Sequence, residues 1–170
     1  HHCDLVVVGS GASGLATAVT AAWLGLKVVV IEKHEKFGGT SAWSGGWLWV
    51  PRNYLAKAAG INEDIDVPLN YLRSELGNNF DERFARQYLE QAPRMVDFFR
   101  NHTSVEFVDG NTIPDFHEHL PGAGKGGRSV CAAPFDGRKL GSRIHDLRPP
   151  LNLISPFGMG IASGADLRHF

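Results

Sequence analysis

The sequence predicts an α/β fold that opens on a parallel sheet. Three observations carry this. A β-branched run, Leu5-Val6-Val7-Val8, comes first. Gly9, Gly11 and Gly14 follow at G-x-G-x-x-G spacing. A helical pattern from Ala12 to Gly25 leads to a second β-branched run, Lys27–Ile31. Strand, tight turn, helix and strand in that order form the context a dinucleotide-binding turn requires. Gly9 makes the turn, Gly11 lets backbone approach a pyrophosphate, and Gly14 lets helix and strand pack closely. The unpaired N–H groups and partial positive charge at the helix N-terminus suit a phosphate.

Composition bounds the function classes. A chain of 170 residues with 43% hydrophobic content can bury one globular core. Seventeen basic against eighteen acidic residues leave a net charge of −1, so no basic surface calls for nucleic acid or an anionic membrane. No apolar run reaches the roughly 20 residues of a membrane span. Residues His1 to Asp4 lead straight into the first strand, so no signal peptide is expected. Cys3 and Cys131 form no C-x-x-C and read as reduced thiols. The expected location is cytoplasmic.

The remaining elements follow in order. Leu5–Val8 is expected to be buried on both faces, as parallel strands are. The helix after it carries Leu15, Val19, Ala22 and Trp23 on one stripe, and Gly25 is its stop. Glu32 ends the second strand, 18 residues beyond Gly14. That is close to the spacing of about 20 residues expected for the acid that accepts ribose hydroxyls. Residues 37–47 then place two Gly-Gly pairs, Gly38-Gly39 and Gly45-Gly46, around Thr40, Ser41 and Ser44. Paired glycines admit a flat or charged ligand, and hydroxyls donate to it. A nicotinamide site does not need such a stretch, and an FAD site does, so FAD is the expected cofactor. Trp43, Trp47 and Trp49 alternate beside it, as core or as walls of a flavin pocket.

Pro51 interrupts that strand-like run, and a short helix is expected over 52–59 with Gly60 as its stop. A helix entered near Pro68 runs to Gly77 with Leu69, Leu72 and Leu76 inward. Asp81 is an N-cap for a helix with Phe84, Tyr88 and Leu89 inward. Pro93 predicts a break, giving two helices over 81–91 and 93–102. Phe98 and Phe99 are core candidates. Strands are expected over 105–108 and 129–133, with a turn at Asp109-Gly110-Asn111. Residues 113–128 are irregular and glycine-rich around Lys125. His117 and His119 flank Glu118 but lack further ligands at metal spacing, so no metal site is expected. A turn at 135–138, an extended stretch from Arg148 to Pro156 and a helix starting at Ser163 or Asp166 complete the chain.

The run Gly38-Gly39-Thr40-Ser41-Ala42-Trp43-Ser44-Gly45-Gly46, then Leu48-Trp49-Val50-Pro51, resembles the flavoproteins related to 3-ketosteroid Δ1-dehydrogenase. These lie within the fumarate reductase and succinate dehydrogenase flavoprotein group. Later pieces are similar in order: Ala92-Pro93-Arg94-Met95-Val96, Gly127-Arg128-Ser129, Pro134-Phe135-Asp136-Gly137-Arg138 and Leu147-Arg148-Pro149-Pro150. The resemblance implies a Rossmann-like FAD-binding domain with a parallel sheet and additional helices, incomplete within 1–170. The segment that closes the FAD domain and the substrate-binding cap domain are not recognisable in it. It also implies that Gly9, Ser10, Gly11, Ala12, Ser13 and Gly14 meet the FAD pyrophosphate. Glu32 would hold the adenosine ribose, and Lys33 would lie beside the adenine. Gly38, Gly39, Thr40, Ser41, Ser44, Gly45 and Gly46 would follow the ribityl chain and isoalloxazine. Members with covalent FAD carry a histidine just before this stretch. Gly38-Gly39-Thr40-Ser41 stands there, which implies a non-covalent cofactor.

The implied reaction is dehydrogenation of a C–C bond beside a carbonyl, in a steroid-like or other carbonyl substrate, with an external electron acceptor and the remainder of the same enzyme as partners. Where the family carries a catalytic tyrosine, Asp115-Phe116-His117-Glu118 stands in this sequence. Phe116 cannot move a proton, so His117 is the candidate acid or base. Two other readings stay open. One is a reductase of a dicarboxylate such as fumarate, which needs arginine clamps. The other is an FAD-binding module without activity of its own.

Overall fold

A computed structural model describes residues 2–151. The extended stretch expected beyond 151 and the helix expected from Ser163 or Asp166 lie outside the described residues. The chain divides into two compact units, 1–46 with 136–170, and 47–135.

The first unit holds the predicted βαβ start. Strand β1 (Leu5–Val8) pairs in parallel with β2 (Val28–Ile31), Leu5 opposite Val28 and Val8 opposite Ile31. Helix α1 (Ala12–Trp23) connects them and stops before Gly25, whose φ of +87° only glycine adopts easily. Two expectations fail here. β1 is not buried on both faces: Val7 is buried, but Val6 and Val8 are 51% and 81% exposed. The inward face of α1 is not the Leu15/Val19/Trp23 stripe, which is exposed, but the side bearing Ala21. Small residues let the helix axis lie close to the sheet, whereas the large apolar side chains have no layer to pack into among the described residues. A 3₁₀ segment (Gly39–Trp43) follows β2, and two short helical pieces within Gly137–Asp146, separated by a kink at Gly141 (φ +57°), return to the unit where the sequence suggested only a turn. The return segment is stitched to the first by Phe37 N–H to Asp146 O at 2.9 Å and Arg148 N–H to Phe37 O at 2.8 Å. The Arg148 guanidinium lies 3.8 Å from the centroid of the Trp43 ring.

The second unit is a small α+β body. Strands β3 (Trp47–Trp49), β4 (Phe107–Asp109) and β5 (Ser129–Ala132) form an antiparallel sheet in the order β3-β5-β4. The central strand is the buried one, with Val130 fully buried and Cys131 nearly so. Helix α2 (Tyr54–Ala58) is capped by Asn53, whose side chain accepts from Ala56 N. Helix α3 (Asp66–Leu76) turns Leu69 and Tyr71 inward and leaves Leu76 exposed, against expectation. Helix α4 (Glu82–His102) is one continuous helix, not two. Pro93 removes one ladder hydrogen bond, but the buried stripe Ala85, Leu89, Ala92, Val96, Phe99 runs unbroken at helical spacing across it. Burying a Leu or Phe side chain is worth about 1.5–3 kcal/mol, so several such positions outweigh a local loss near 3 kcal/mol. Phe84 lies off this stripe and is 79% exposed, whereas Tyr88 at its margin stacks on Trp49, with ring centroids 6.4 Å apart. Asp81 caps α4 as expected, accepting from Phe84 N at 3.0 Å. Leu69, Ala85 and Leu89 form the core where α3 meets α4, with Trp49, Ile65, Leu72 and Phe80 packed against it.

Candidate functional site

In the first unit the glycine turn is shaped by close approach. Gly9 has φ +93° and its N–H donates to Ile31 O at 2.7 Å, closing the end of the sheet. A Cβ on Gly14 would lie 2.1 Å from the carbonyl oxygen of Gly9, so only glycine lets α1 start this near β1. Gly11 is the N-cap residue of α1, and a Cβ there would meet only Ser41 Oγ at 3.6 Å. The turn therefore presents backbone, not side chains, over the start of a helix whose first N–H groups have no intrahelical partner. Gly39 (φ +56°) lies against it, a Cβ there being 3.1 Å from Gly11 Cα. Ser41 Oγ accepts the N–H of Ala12 at 2.9 Å, which ties the second Gly-rich stretch to the first.

Ser10 and Glu32 form the second half of this arrangement. Ser10 is buried, and both its N–H (2.9 Å) and its Oγ–H (2.5 Å) donate to Glu32 Oε2. Ser10 Oγ also accepts from Gly38 N at 3.0 Å, and Glu32 Oε1 accepts from His34 N at 3.0 Å. The Ser10 hydroxyl, then the His34 and Ser10 backbone donors, hold the Glu32 carboxyl down to about 2. The carboxylate is thus fixed and charged at the end of β2, with Oε2 engaged by Ser10 and Oε1 left as the oxygen with room to accept a ribose hydroxyl. Backbone donors over an open glycine surface, a helix N-terminus and a fixed carboxylate fit the phosphates and ribose of FAD. Lys33, Thr40 and Ser44 are exposed, as are Ala12 and Ser13. Ser44 Oγ accepts from Gly46 N at 3.0 Å, and Gly38, Gly45 and Gly46 complete the loop.

The second unit holds a separate feature, a cavity of about 520 Å³. Trp47, Leu48, Trp49, Leu72, Ile113 and Pro114 supply much of its lining, and Phe116, 95% exposed, stands at its edge. Its ionisable lining is Tyr71, Glu75 and Asp115. Asp115 is committed elsewhere: it accepts from Trp49 Nε1 (2.7 Å), Gly124 N (2.7 Å) and Arg128 Nη1 (2.6 Å). Arg128 is 2% exposed and also binds Glu63 through Nε and Nη2 and the Gly122 carbonyl through Nη1. The glycine-rich run around Lys125 therefore wraps a buried guanidinium. Its glycines serve close packing: a Cβ on Gly126 would lie 2.0 Å from Asn111 O.

Glu75 behaves differently from Asp115. Its Oε1 accepts from Tyr71 Oη at 2.5 Å and lies 2.6 Å from His117 Nδ1. Those two bonds lower the Glu75 carboxyl, and burial pushes the Tyr71 phenol up to about 12. His117 is thus brought into a cluster that the sequence reading did not assemble. The signal was present: Tyr71 and Glu75 are four residues apart on one helix and share a face.

Comparison with known proteins places this geometry. The model of the FAD binding domain family matches residues 4–169. The chain is 40% identical over 169 residues to a 4-oxocyclohex-2-ene-1-carboxylate 5-dehydrogenase of Sinomonas cyclohexanicum, covering 99% of this chain and 28% of that protein. It is 36% identical over 156 residues to a 3-oxosteroid 1-dehydrogenase of Mycobacterium tuberculosis, covering 89% and 28%. The crystal structure of 3-ketosteroid delta1-dehydrogenase from Sterolibacterium denitrificans, in complex with 1,4-androstadiene-3,17-dione, superposes with a TM-score of 0.86 at 36% identity over 94% of this chain and 28% of that one. The chain thus spans little more than a quarter of the length of these relatives. On the family match and the glycine turn together, the chain belongs to the FAD binding domain family.

Proposed function

We propose that this chain is the FAD-binding part of a dehydrogenase that removes two hydrogens from adjacent carbons beside the carbonyl of an apolar ring ketone. The carrying observation is the cavity of about 520 Å³, walled by Trp47, Trp49, Leu72 and Ile113. When bound, FAD supplies an isoalloxazine that accepts a hydride from carbon. The turn Gly9, Ser10, Gly11, Ala12, Ser13 and Gly14 would face the pyrophosphate; the N–H groups of Gly9, Ser10 and Ala12 brace the turn itself, and those of Gly11, Ser13 and Gly14 at the α1 N-terminus would be the donors. Glu32 orients the adenosine ribose, and Lys33 lies beside the adenine. Gly38, Gly39, Thr40, Ser41, Ser44, Gly45 and Gly46 follow the ribityl chain and the ring system, without a covalent bond.

The protein must also take an acidic proton from the carbon next to the carbonyl, because hydride leaves readily only from an enolate-like neighbour. His117 is the group we assign to that proton, since Phe116 beside it has no ionisable atom. The remainder of the enzyme and an external electron acceptor complete turnover. The location we propose is cytoplasmic, with Cys3 and Cys131 read as thiols. Among the described residues no helix is long and apolar enough to cross a membrane.

The dicarboxylate reading is disfavoured by the cavity. Among its described lining residues none is Lys or Arg, and its carboxyl groups are Glu75 and Asp115. A carboxylate substrate would meet negative charge there without a partner. The test uses the full-length protein with FAD, an artificial electron acceptor and either a neutral 3-ketosteroid or a 4-oxocyclohexenecarboxylate. Flavin is expected to stay with the protein through gel filtration, and the neutral ketone to turn over with kcat/KM at least about tenfold higher, the equivalent of ~1.4 kcal/mol. Loss of flavin refutes the cofactor reading. Retained flavin without ketone turnover refutes the substrate reading.

Glu32 gives a separate expectation. Glu32→Gln removes the charge but keeps the length, and is expected to weaken FAD binding about tenfold, the value of one charge-assisted hydrogen bond. Titration of flavin fluorescence checks it. Because the folded Glu32 carboxyl lies near 2, below its ordinary value, its contribution is present above the unfolded pKa and is lost only as pH falls toward 2. Flavin retention should therefore not change through Glu32 between pH 7 and 5.

A further inference from the structure

We infer that Glu75, braced by Tyr71, is a positioning residue that holds the His117 imidazole with its proton on Nδ1, so that Nε2 is the nitrogen left to accept a proton, on the loop whose Phe116 lines the cavity. This rests on the reading that the cavity receives a ring ketone and that His117 handles its proton.

The geometry supplies the argument. Glu75 lines the cavity and its side chain is 24% exposed. One oxygen, Oε1, serves both neighbours, Tyr71 Oη at 2.5 Å and His117 Nδ1 at 2.6 Å. A carboxylate can only accept, so each neighbour must donate. Tyr71 is buried, and its phenol is pushed to about 12, so it keeps its proton and donates. The same logic puts hydrogen on His117 Nδ1, because a carboxylate opposite a bare Nδ1 would set two lone pairs against each other at 2.6 Å. The neutral ring is then the Nδ1–H tautomer, and its second nitrogen accepts. Tyr71 further meets the backbone N–H of His117, its Oη lying 3.5 Å away, so one tyrosine touches both the carboxylate and the main chain of the loop that carries the histidine.

The surroundings explain why this loop needs holding. His117 is 57% exposed, and its ring is edge-on to His119 with centroids 6.0 Å apart. It follows Phe116, which is 95% exposed. An exposed loop histidine samples both tautomers and several rotamers unless a partner selects one. Glu75 lies on α3, an element anchored in the core through Leu69. The carboxylate therefore fixes the loop ring to a rigid support. In the step itself the C–H bond beside the carbonyl breaks, its proton goes to Nε2, and its electron pair moves onto the carbonyl oxygen as the enolate.

The test compares the full-length, FAD-loaded protein with Glu75→Gln, Glu75→Asp, Tyr71→Phe and His117→Ala, using a neutral 3-ketosteroid. For Glu75→Gln, kcat is expected to fall about 30-fold with KM within twofold, since the residue acts through another and leaves the apolar wall intact. Glu75→Asp should recover about a third of the loss and Tyr71→Phe should cost about threefold. In protein labelled with ¹⁵N-histidine, the resonance pair lost in His117→Ala should report hydrogen on Nδ1 in the wild type and a mixture of tautomers in Glu75→Gln. If His117→Ala is inactive while Glu75→Gln matches wild type in kcat and tautomer, the positioning role is overturned and the assignment of His117 stands. If His117→Ala turns over like wild type, that assignment fails and the positioning role fails with it.

Discussion

Gly14→Ala is expected to abolish FAD retention, with affinity falling 100-fold or more. The added Cβ would lie 2.1 Å from Gly9 O and 3.0 Å from Gly9 C, both backbone atoms that cannot rotate away. Either α1 moves off β1 or the turn at Gly9 opens, and each change disturbs the N–H groups that face the phosphates. Overpacking costs about 1–3 kcal/mol when side chains can yield, and a backbone clash lies at the upper end or beyond. At ~1.4 kcal/mol per tenfold, that is two decades or more in affinity. Gly25→Ala is the control. Its φ of +87° makes alanine strained, but nothing lies within 4 Å of a Cβ there. It should lower the melting temperature of the apoprotein by a few degrees and leave FAD binding unchanged. Equal flavin retention by Gly14→Ala and wild type would contradict the role given to the turn.

Arg128→Met carries the largest expected loss of stability. The guanidinium is 2% exposed and is shared by Glu63, Asp115 and the Gly122 carbonyl. Removing it leaves two carboxylates facing each other in a dry place, one of them, Asp115, only 3% exposed at its side chain. Breaking a buried pair from one side costs about 3–5 kcal/mol. At ~2–4 °C per kcal/mol for a chain of this length, the melting temperature should fall by at least about 6 °C. Arg128→Lys should recover only part, because an ammonium cannot span two carboxylates with a planar fork. Adding Asp115→Asn to Arg128→Met should restore stability in part, since it removes one of the orphaned charges. A shift under 3 °C for Arg128→Met, read by thermal unfolding, would mean that the cluster contributes little.

The two expectations differ in how far the sequence foretold them. Gly14 was legible because its spacing from Gly9 and Gly11 is a local pattern with one physical solution. Arg128 was not, since its partner Glu63 is 65 positions away along the chain. The glycine-rich run that surrounds Arg128 reads in sequence only as irregular, whereas its glycines pack around a buried ion cluster. Pro93 shows the converse error. The local rule called for a break, and the five-residue buried stripe of α4 overrode it. The exposure of Val6, Val8 and Leu15 marks a third limit, because amphipathic pattern says which residues can be buried and not which layer covers them among the described residues.

The sequence by itself determined the βαβ start, the glycine turn and the preference for FAD, and it pointed to Glu32 as the proposed ribose acceptor. Each follows from short-range spacing acting on backbone geometry. Tertiary structure alone decided that Ser10 fixes Glu32 from both its N–H and its hydroxyl, that Ser41 caps α1, and that His117 meets Glu75 and Tyr71 across 42 and 46 positions of sequence. Those contacts depend on where separate elements come to rest in three dimensions, which spacing along a chain does not encode.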